Sequence, residues 1–209
     1  NPKNRYAQRK LFELFSLEKA WFQARDAAQV LYELGEPDSR LILTQCYCEI
    51  AEKLLLEGNS RRAREFLIKA VQIDDQCIRA LLLLIDVHLK NNEITKASRL
   101  LSQLVKKSPE YIELYLKPAR EVYFIRGSAE KFQSFLIEQY DKHPHSSIAL
   151  ELLGSYQDMD KHEALIGFLQ QAIKKSPALE LFDFAFAYLK SRPQQLDHLW
   201  MDITTQFKL

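Results

Sequence analysis

The feature that most constrains this chain is a proline that recurs with a period of about 34 residues, the length typical of repeated helix hairpins. The segment Lys106–Pro109 (KKSP) returns as Lys174–Pro177, and Pro144 lies midway between the two copies. A helix hairpin of this kind cannot bury its apolar face alone, so neighbouring hairpins stack. The period therefore predicts an all-α solenoid, in which function depends on an extended surface rather than on one deep pocket.

Composition limits the classes of partner. The 209 residues are 47% hydrophobic, enough for a substantial core, and the 29 basic and 28 acidic side chains leave a net charge of +1. Nucleic-acid binders concentrate basic residues to neutralise phosphates, so this balance argues against a nucleic-acid partner. The longest apolar run, Ala80–Ile85, is too short to cross a bilayer, and we expect no membrane insertion by this chain. Because the first residue is Asn1, we expect the chain to be a piece of a longer protein.

The cysteines predict neither a metal site nor a disulfide. Cys46, Cys48 and Cys77 form no CxxC pair, and their odd number fits a reducing compartment. Cys46 and Cys48 are two residues apart on a predicted helix, so their side chains face different directions. We interpret all three as small packing residues and expect no cofactor in this chain.

Apolar residues recur at spacings of three and four, which predicts twelve helices in six antiparallel pairs. The predicted pairs are 5–18 with 20–34, 39–57 with 60–73, 76–90 with 93–107, 110–126 with 128–142, 146–157 with 160–175, and 178–191 with 194–208. The repeat units are approximately 1–38, 39–75, 76–109, 110–144, 145–177 and 178–209. Together they are expected to form a single array, wound as a right-handed superhelix.

Glycines and asparagines mark the predicted turns. Gly58 and Gly127 are expected between the two helices of a pair, and Gly35 at a helix end, where a left-handed residue is easiest for glycine. Asn91 and Asn92 are expected to do the same in the third pair.

Serine and proline mark the predicted helix starts. Ser108 and Ser176 are expected to cap the helices that follow them, with the next proline in the first helical turn. Pro118 instead falls inside a predicted helix, where it removes a backbone hydrogen bond. We expect a kink or a restarted helix there, as a bend in the array or as a hinge between its halves.

Small residues recur at or next to positions 8, 20 and 27 of the second, third and fifth units, when the residue that closes each unit (Asp75, Pro109 or Pro177) is numbered 32. There they allow the helices of a pair to approach closely. They are Ala51, Ala63, Ala70, Ala97, Gly154 and Ala172. This arrangement resembles the tetratricopeptide repeat, with the best agreement in the second and third units.

A narrower resemblance rests on four stretches. Trp21–Glu52, which includes Tyr47–Ala51, is similar to the lipopolysaccharide assembly protein B family of Gram-negative bacteria. Gly58–Ala63 and Ala80–Leu101 continue the similarity, although Pro118 departs from the usual helix of that family.

The resemblance implies a non-catalytic adaptor that regulates lipopolysaccharide synthesis. Members of the family carry an N-terminal membrane helix, a cytoplasmic repeat array and a C-terminal zinc module, so the anchor and the zinc are expected outside this chain, at the cytoplasmic face of the inner membrane. The implied partners are proteins: the committed-step lipid A deacetylase, a membrane AAA+ protease and other lipopolysaccharide synthesis or export proteins. A homodimer is compatible with the sequence.

In such arrays the first helix of each pair lines the inner face, and its outward positions form a groove. The predicted groove mixes aromatic, basic and acidic side chains, which is typical of a protein-binding surface. Its candidate residues are Gln45, Cys48, Glu52, Arg79, Asp86, Lys90, Glu113, Arg120, Tyr123, Phe124, Glu151, Phe184 and Tyr188. The aromatic members can instead pack against the next repeat.

Other functions find less support. Acidic residues such as Glu52 and Asp86 occupy the groove positions that bind a peptide carboxylate in chaperone-binding repeats, so that mode is disfavoured. The sequence has no phosphate-binding loop, nucleophile elbow or metal-binding His spacing. A scaffold of an unrelated complex remains the main alternative, and an enzyme or RNA-binding array the weaker one.

Overall fold

The computed structural model describes residues 4–191, which form eleven α-helices, one 3-10 turn and no strand. By its contacts the chain divides into two compact units, Asn1–Pro109 and Glu110–Leu209. The all-α prediction is confirmed for the described residues. The predicted twelfth helix, 194–208, lies outside them.

The first unit contains six helices, and each packs on the next one along the chain. α3 also contacts α5, which places two first helices side by side. The helices are α1 Arg5–Leu17, α2 Trp21–Glu33, α3 Ser39–Leu56, α4 Ser60–Ile73, α5 Ile78–Lys90 and α6 Ile94–Lys107.

The second unit repeats this arrangement after the 3-10 turn Pro109–Tyr111. Consecutive helices pack together, and α9 also contacts α7 and α11, so the first helices of three pairs are again neighbours. The helices are α7 Ile112–Ile125, α8 Ala129–Lys142, α9 Ser146–Asp158, α10 His162–Lys175 and α11 Leu179–Lys190.

A left-handed residue makes the turn inside each of the first five pairs. These residues are Lys19, Gly58, Asn92, Gly127 and Asp160, with φ between +54° and +75°. At the second pair, the Gly58 N–H donates to the Leu55 carbonyl at 3.1 Å, and the Asn59 N–H to the Leu54 carbonyl at 2.7 Å. This is the Schellman pattern, which satisfies the last carbonyls of the helix. The turn predictions at Gly58, Asn92 and Gly127 are confirmed.

Most of the small residues of the repeat pattern lie in the core. Ala51, Ala63, Ala70, Ala97 and Ala172 are all fully buried. Gly154 differs, because a Cβ added there would meet no atom within 4 Å. The packing around this residue of α9 therefore does not depend on glycine.

The prediction that Ser108 and Ser176 cap the following α-helices is wrong. The two serines end α6 and α10, and the α-helices after them begin further along the chain, behind Tyr111 and Ala178 as N-caps. At Pro118 the expected restart does not occur, since α7 continues through the proline from Ile112 to Ile125. The kink at Pro118 stays a prediction.

Candidate protein-binding face

The exposed side of α3 and α5 carries a network of ion pairs. Arg79 on α5 donates from Nη1 to Glu49 Oε1 at 2.8 Å, and from Nε and Nη2 to the two carboxylate oxygens of Glu52 at 2.9 and 2.8 Å. Glu52 and Arg79 were predicted to face the groove, and the structure brings them together. Glu49 was missed, although opposite charges at matching places on successive first helices would have indicated it.

The remaining predicted residues of the first unit divide into exposed and buried ones. Gln45 is exposed on α3, and Lys90 pairs with Asp86 at 2.7 Å, one turn apart on α5. Cys48 is 1% exposed, so its predicted place in the groove is corrected to the core. The reason is that α3 packs on α2, α4 and α5, which widens its buried stripe.

In the second unit a depression of about 380 Å³ lies between α7 and α9. Its lining residues are Glu113, Leu116, Lys117, Arg120, Ser147, Leu150, Glu151 and Gly154. Three of them, Glu113, Arg120 and Glu151, were predicted from the repeat register. Part of the predicted groove therefore coincides with this depression.

Charged contacts line this depression. Arg120 Nη2 lies 3.1 Å from Asp158 Oδ2, and Nη1 lies 3.8 Å from Glu151 Oε2. At the other end, Glu113 Oε1 lies 2.8 Å from His145 Nδ1 and accepts a hydrogen bond from the Ser147 hydroxyl at 3.0 Å. Both acidic and basic groups are thus held in place on one face, as polar recognition of a protein requires.

The two predicted aromatic anchors on α7 differ in their surroundings. Tyr123 packs on Phe132 and Phe135 of α8, with ring centroids 5.7 and 5.5 Å apart, and burial raises the pKa of its hydroxyl. It is a packing residue of the pair. Phe124 is 48% exposed, and the Arg120 guanidinium lies 5.4 Å from its ring centroid. Of the two, only Phe124 has an exposed ring.

The aromatic pair on α11 is mainly structural. Phe184 is half-buried and stacks on Tyr188 with centroids 6.3 Å apart. Tyr188 is 4% exposed, and its hydroxyl lies 3.0 Å from His162 Nδ1. The predicted groove position of Tyr188 is corrected, because the last turn of α11 packs it against the start of α10.

Within residues 4–191, no group of three His, Cys, Asp or Glu side chains is arranged to hold a metal ion. Within the same residues, no helix is apolar over enough of its length to span a bilayer.

The paired helices, the left-handed turns and the buried small residues define a tetratricopeptide-like solenoid. The family model for the tetratricopeptide repeat matches residues 54–117. The crystal structure of MamA protein superposes with a TM-score of 0.52 at 15% identity, covering 82% of this chain and 91% of MamA, which supports the fold alone.

The particular relatives are proteins named lipopolysaccharide assembly protein B. The one from Haemophilus influenzae is 26% identical over 176 residues, which is 84% of this chain and 44% of the relative. The one from Escherichia coli K12 is 22% identical over the same share of this chain and 45% of its own length. These matches confirm the predicted resemblance. The chain spans less than half the length of these relatives.

Proposed function

We propose that this chain is the repeat region of a scaffold that regulates lipopolysaccharide synthesis through protein–protein contacts. The observation that carries the proposal is the similarity to lipopolysaccharide assembly protein B over 84% of the chain. The depression between α7 and α9 supports the proposal, because its mixed charges suit a protein ligand. The half-exposed ring of Phe124, which lies beside the Arg120 guanidinium, adds an aromatic surface next to it.

The finer proposal concerns what the scaffold binds. The chain presents the committed-step lipid A deacetylase to a membrane AAA+ protease, at the cytoplasmic face of the inner membrane. An anchor and a zinc module outside these residues complete that protein. The proposal follows the family resemblance, and the α7–α9 face is where we place the first contact.

Binding rather than catalysis is the proposed role of the charged groups. Arg120 faces two carboxylates, and Glu113 faces a histidine and a hydroxyl. In such pairs each charged group already has a neighbour, which suits it to orient a bound protein rather than to exchange a proton with a substrate. We therefore propose that the chain itself is not an enzyme.

The test measures binding of the purified deacetylase, and separately of the purified protease, to the 209-residue chain by titration calorimetry. The double variant Arg120→Glu/Phe124→Ala reverses a charge and removes the exposed ring. We expect affinity for at least one of the two proteins to fall at least about tenfold, as for a central interface anchor.

The matched control is Lys142→Glu, which reverses a charge at the end of α8, where Lys142 pairs only with Glu138 among the described residues. Its affinity should equal that of the unmodified chain, and circular dichroism should show equal helix content for both variants. If neither protein binds the unmodified chain, the lipopolysaccharide proposal fails. If binding survives the double variant, the α7–α9 face is the wrong site.

A further inference from the structure

A second cavity, of about 400 Å³, lies between α8 and α10 in the second unit. These are the second helices of two successive pairs, whereas the depression described above lies between the first helices α7 and α9. The volume is within the range of sites that enclose a ligand. The lining residues that matter for recognition are Tyr140, Asp141, Tyr156, Gly167, Phe168 and Gln171.

Three aromatic rings in mutual contact form part of the cavity wall. Phe168 on α10 packs on two tyrosines, with its ring centroid 5.1 Å from that of Tyr140 and 6.0 Å from that of Tyr156. Lys175 Nζ lies 5.3 Å from the Tyr140 ring centroid, so one of these rings already has a cation beside it. Aromatic rings that line a cavity attract positively charged groups to their faces.

Hydrogen-bond acceptors lie beside the rings. Asp141 on α8 is exposed and makes no ion pair among the described residues, and Gln171 on α10 adds a side-chain amide. The Tyr140 hydroxyl is buried and has no hydrogen-bond partner within residues 4–191. Because buried hydroxyls in folded proteins are normally paired, a bound group that donates a hydrogen bond would satisfy it. The cavity therefore combines aromatic surface, a negative charge and acceptor oxygens.

We propose that this cavity binds the arginine side chain of a partner protein. The guanidinium stacks on the aromatic wall, and its N–H groups donate to the Asp141 carboxylate. Arginine suits this combination better than other cations do. A quaternary ammonium has no N–H group to donate, and the lysine ammonium is compact and strongly hydrated, whereas the planar guanidinium both stacks and donates. The inference does not depend on the proposed function.

The rim of the cavity favours a protein over free arginine. Ile137 on α8 lines the same cavity and is 40% exposed. It offers apolar surface to the residues that flank the arginine in a polypeptide, which free arginine lacks. Apolar and aromatic surface around a charged anchor is the arrangement found in the centres of protein interfaces.

The test titrates capped five-residue peptides into the isotope-labelled 209-residue chain and follows the backbone amide signals by NMR. The central residue is arginine, lysine, leucine or citrulline, which has the shape of arginine without its charge. We expect saturable shifts at Asp141 and Gly167 with the arginine peptide. The lysine peptide should bind at least about threefold more weakly, and the citrulline and leucine peptides at least about tenfold.

Three results of this titration would overturn the proposal. The first is equal affinity for the arginine and citrulline peptides, because the charge would then be irrelevant. The second is equal affinity for free arginine and the arginine peptide, which would indicate a small-molecule site. The third is the absence of shifts at about 10 mM arginine peptide.

Variants test the cavity itself. Asp141→Asn should weaken binding of the arginine peptide at least about threefold. Glu130→Gln, which removes an exposed carboxylate at the other end of α8, is the matched control and should leave the affinity unchanged. Gly167→Leu should fill the cavity and abolish binding. Since a Cβ added at Gly167 meets no atom within 4 Å, Gly167→Ala should fold and bind as the unmodified chain does. Equal helix content by circular dichroism would confirm folding, and unchanged binding in Asp141→Asn or in Gly167→Leu would contradict the proposal.

Discussion

Arg79 Nη1 lies 2.8 Å from Oε1 of Glu49, a residue on the preceding helix pair. The two side chains belong to α5 and α3, the first helices of successive pairs, which are neighbours in the first unit. The same guanidinium binds both carboxylate oxygens of Glu52. One side chain therefore connects two repeats through three hydrogen bonds on a surface that is otherwise open to solvent.

Replacing Arg79 with alanine should lower the free energy of unfolding by about 1 kcal/mol. The Arg79 side chain is 41% exposed, so solvent screening limits the stabilisation that each ion pair provides. Because the contact with Glu52 is bidentate, we expect a stabilisation at the upper end of the range for surface ion pairs. Urea denaturation would measure the change, and the loss should shrink in high salt. Lys90→Ala, which breaks one pair within α5, is the control and should cost about 0.3 kcal/mol. A larger loss for Lys90→Ala than for Arg79→Ala would contradict the argument.

The left-handed turns should respond in opposite directions to two substitutions. Gly58→Ala is expected to cost about 1 kcal/mol, since φ is +75° and the added Cβ meets nothing, so only backbone strain remains. Lys19→Gly, at φ +54°, should stabilise by about 0.5 kcal/mol. Thermal unfolding followed by circular dichroism would measure both. Shifts of the same sign would argue against strain as the cause.

Glu93 should make stability depend on pH in the acid range. Its carboxylate contacts Lys96 Nζ at 2.6 Å and His88 Nδ1 at 2.5 Å, and these hydrogen bonds lower its pKa from 4.5 to about 2. Arg64 Nη1 also lies 3.4 Å from Glu93 Oε2. Because the folded-state pKa is the lower one, the stabilisation is complete above pH 4.5 and is lost as the pH falls towards 2.

Glu93→Gln should therefore unfold at a lower temperature than the unmodified chain at pH 7, with the difference closing between pH 4.5 and 2. Scanning calorimetry over that range would measure it. The control is Glu65→Gln on α4, since Glu65 is exposed and makes no ion pair among the described residues. A pH-independent difference for Glu93→Gln would show that the ion pairs are not its cause.

Pro118→Ala should stabilise the second unit by about 2 kcal/mol, because alanine restores the N–H that donates to the preceding turn of α7. This gain in stability is larger than the loss that results because the unfolded chain has more conformational freedom without the proline. Pro109→Ala is the matched comparison, because Pro109 begins a 3-10 turn and its replacement should cost about 0.5 kcal/mol. Urea denaturation would measure both. Destabilisation by Pro118→Ala would indicate that α7 is shaped around the proline.

Helix positions and turns were predictable because they depend on nearby residues. The predicted helix 60–73 coincides with α4, and Gly58 and Asn92 adopt the left-handed conformation expected from their place in the period. The roles of Ser108 and Ser176 were not predictable, since both serines end the preceding helix instead of capping the next one. A serine followed by proline is compatible with either role, and the path of the chain between the helices decides.

Part of the candidate site was predictable for the same reason. The register placed Arg120, Glu113 and Glu151 on one face, and they do line the depression between α7 and α9. Tyr123 and Phe124 are adjacent in sequence, yet only Phe124 is largely exposed, because α8 covers the ring of Tyr123. Helical periodicity assigns a direction to each side chain but not the depth to which neighbours bury it.

By itself, then, the sequence determined the all-α solenoid, its period, its turns and the resemblance to lipopolysaccharide assembly protein B. Those properties are local, and their regular recurrence along the chain makes them visible. Tertiary structure decided that Cys48 is buried, that Arg79 joins Glu49 to Glu52, and that Tyr188 lies in the core. Each of these depends on contacts between different helices. Such contacts depend on how the helices and successive repeats pack, which residue spacing within one repeat does not specify.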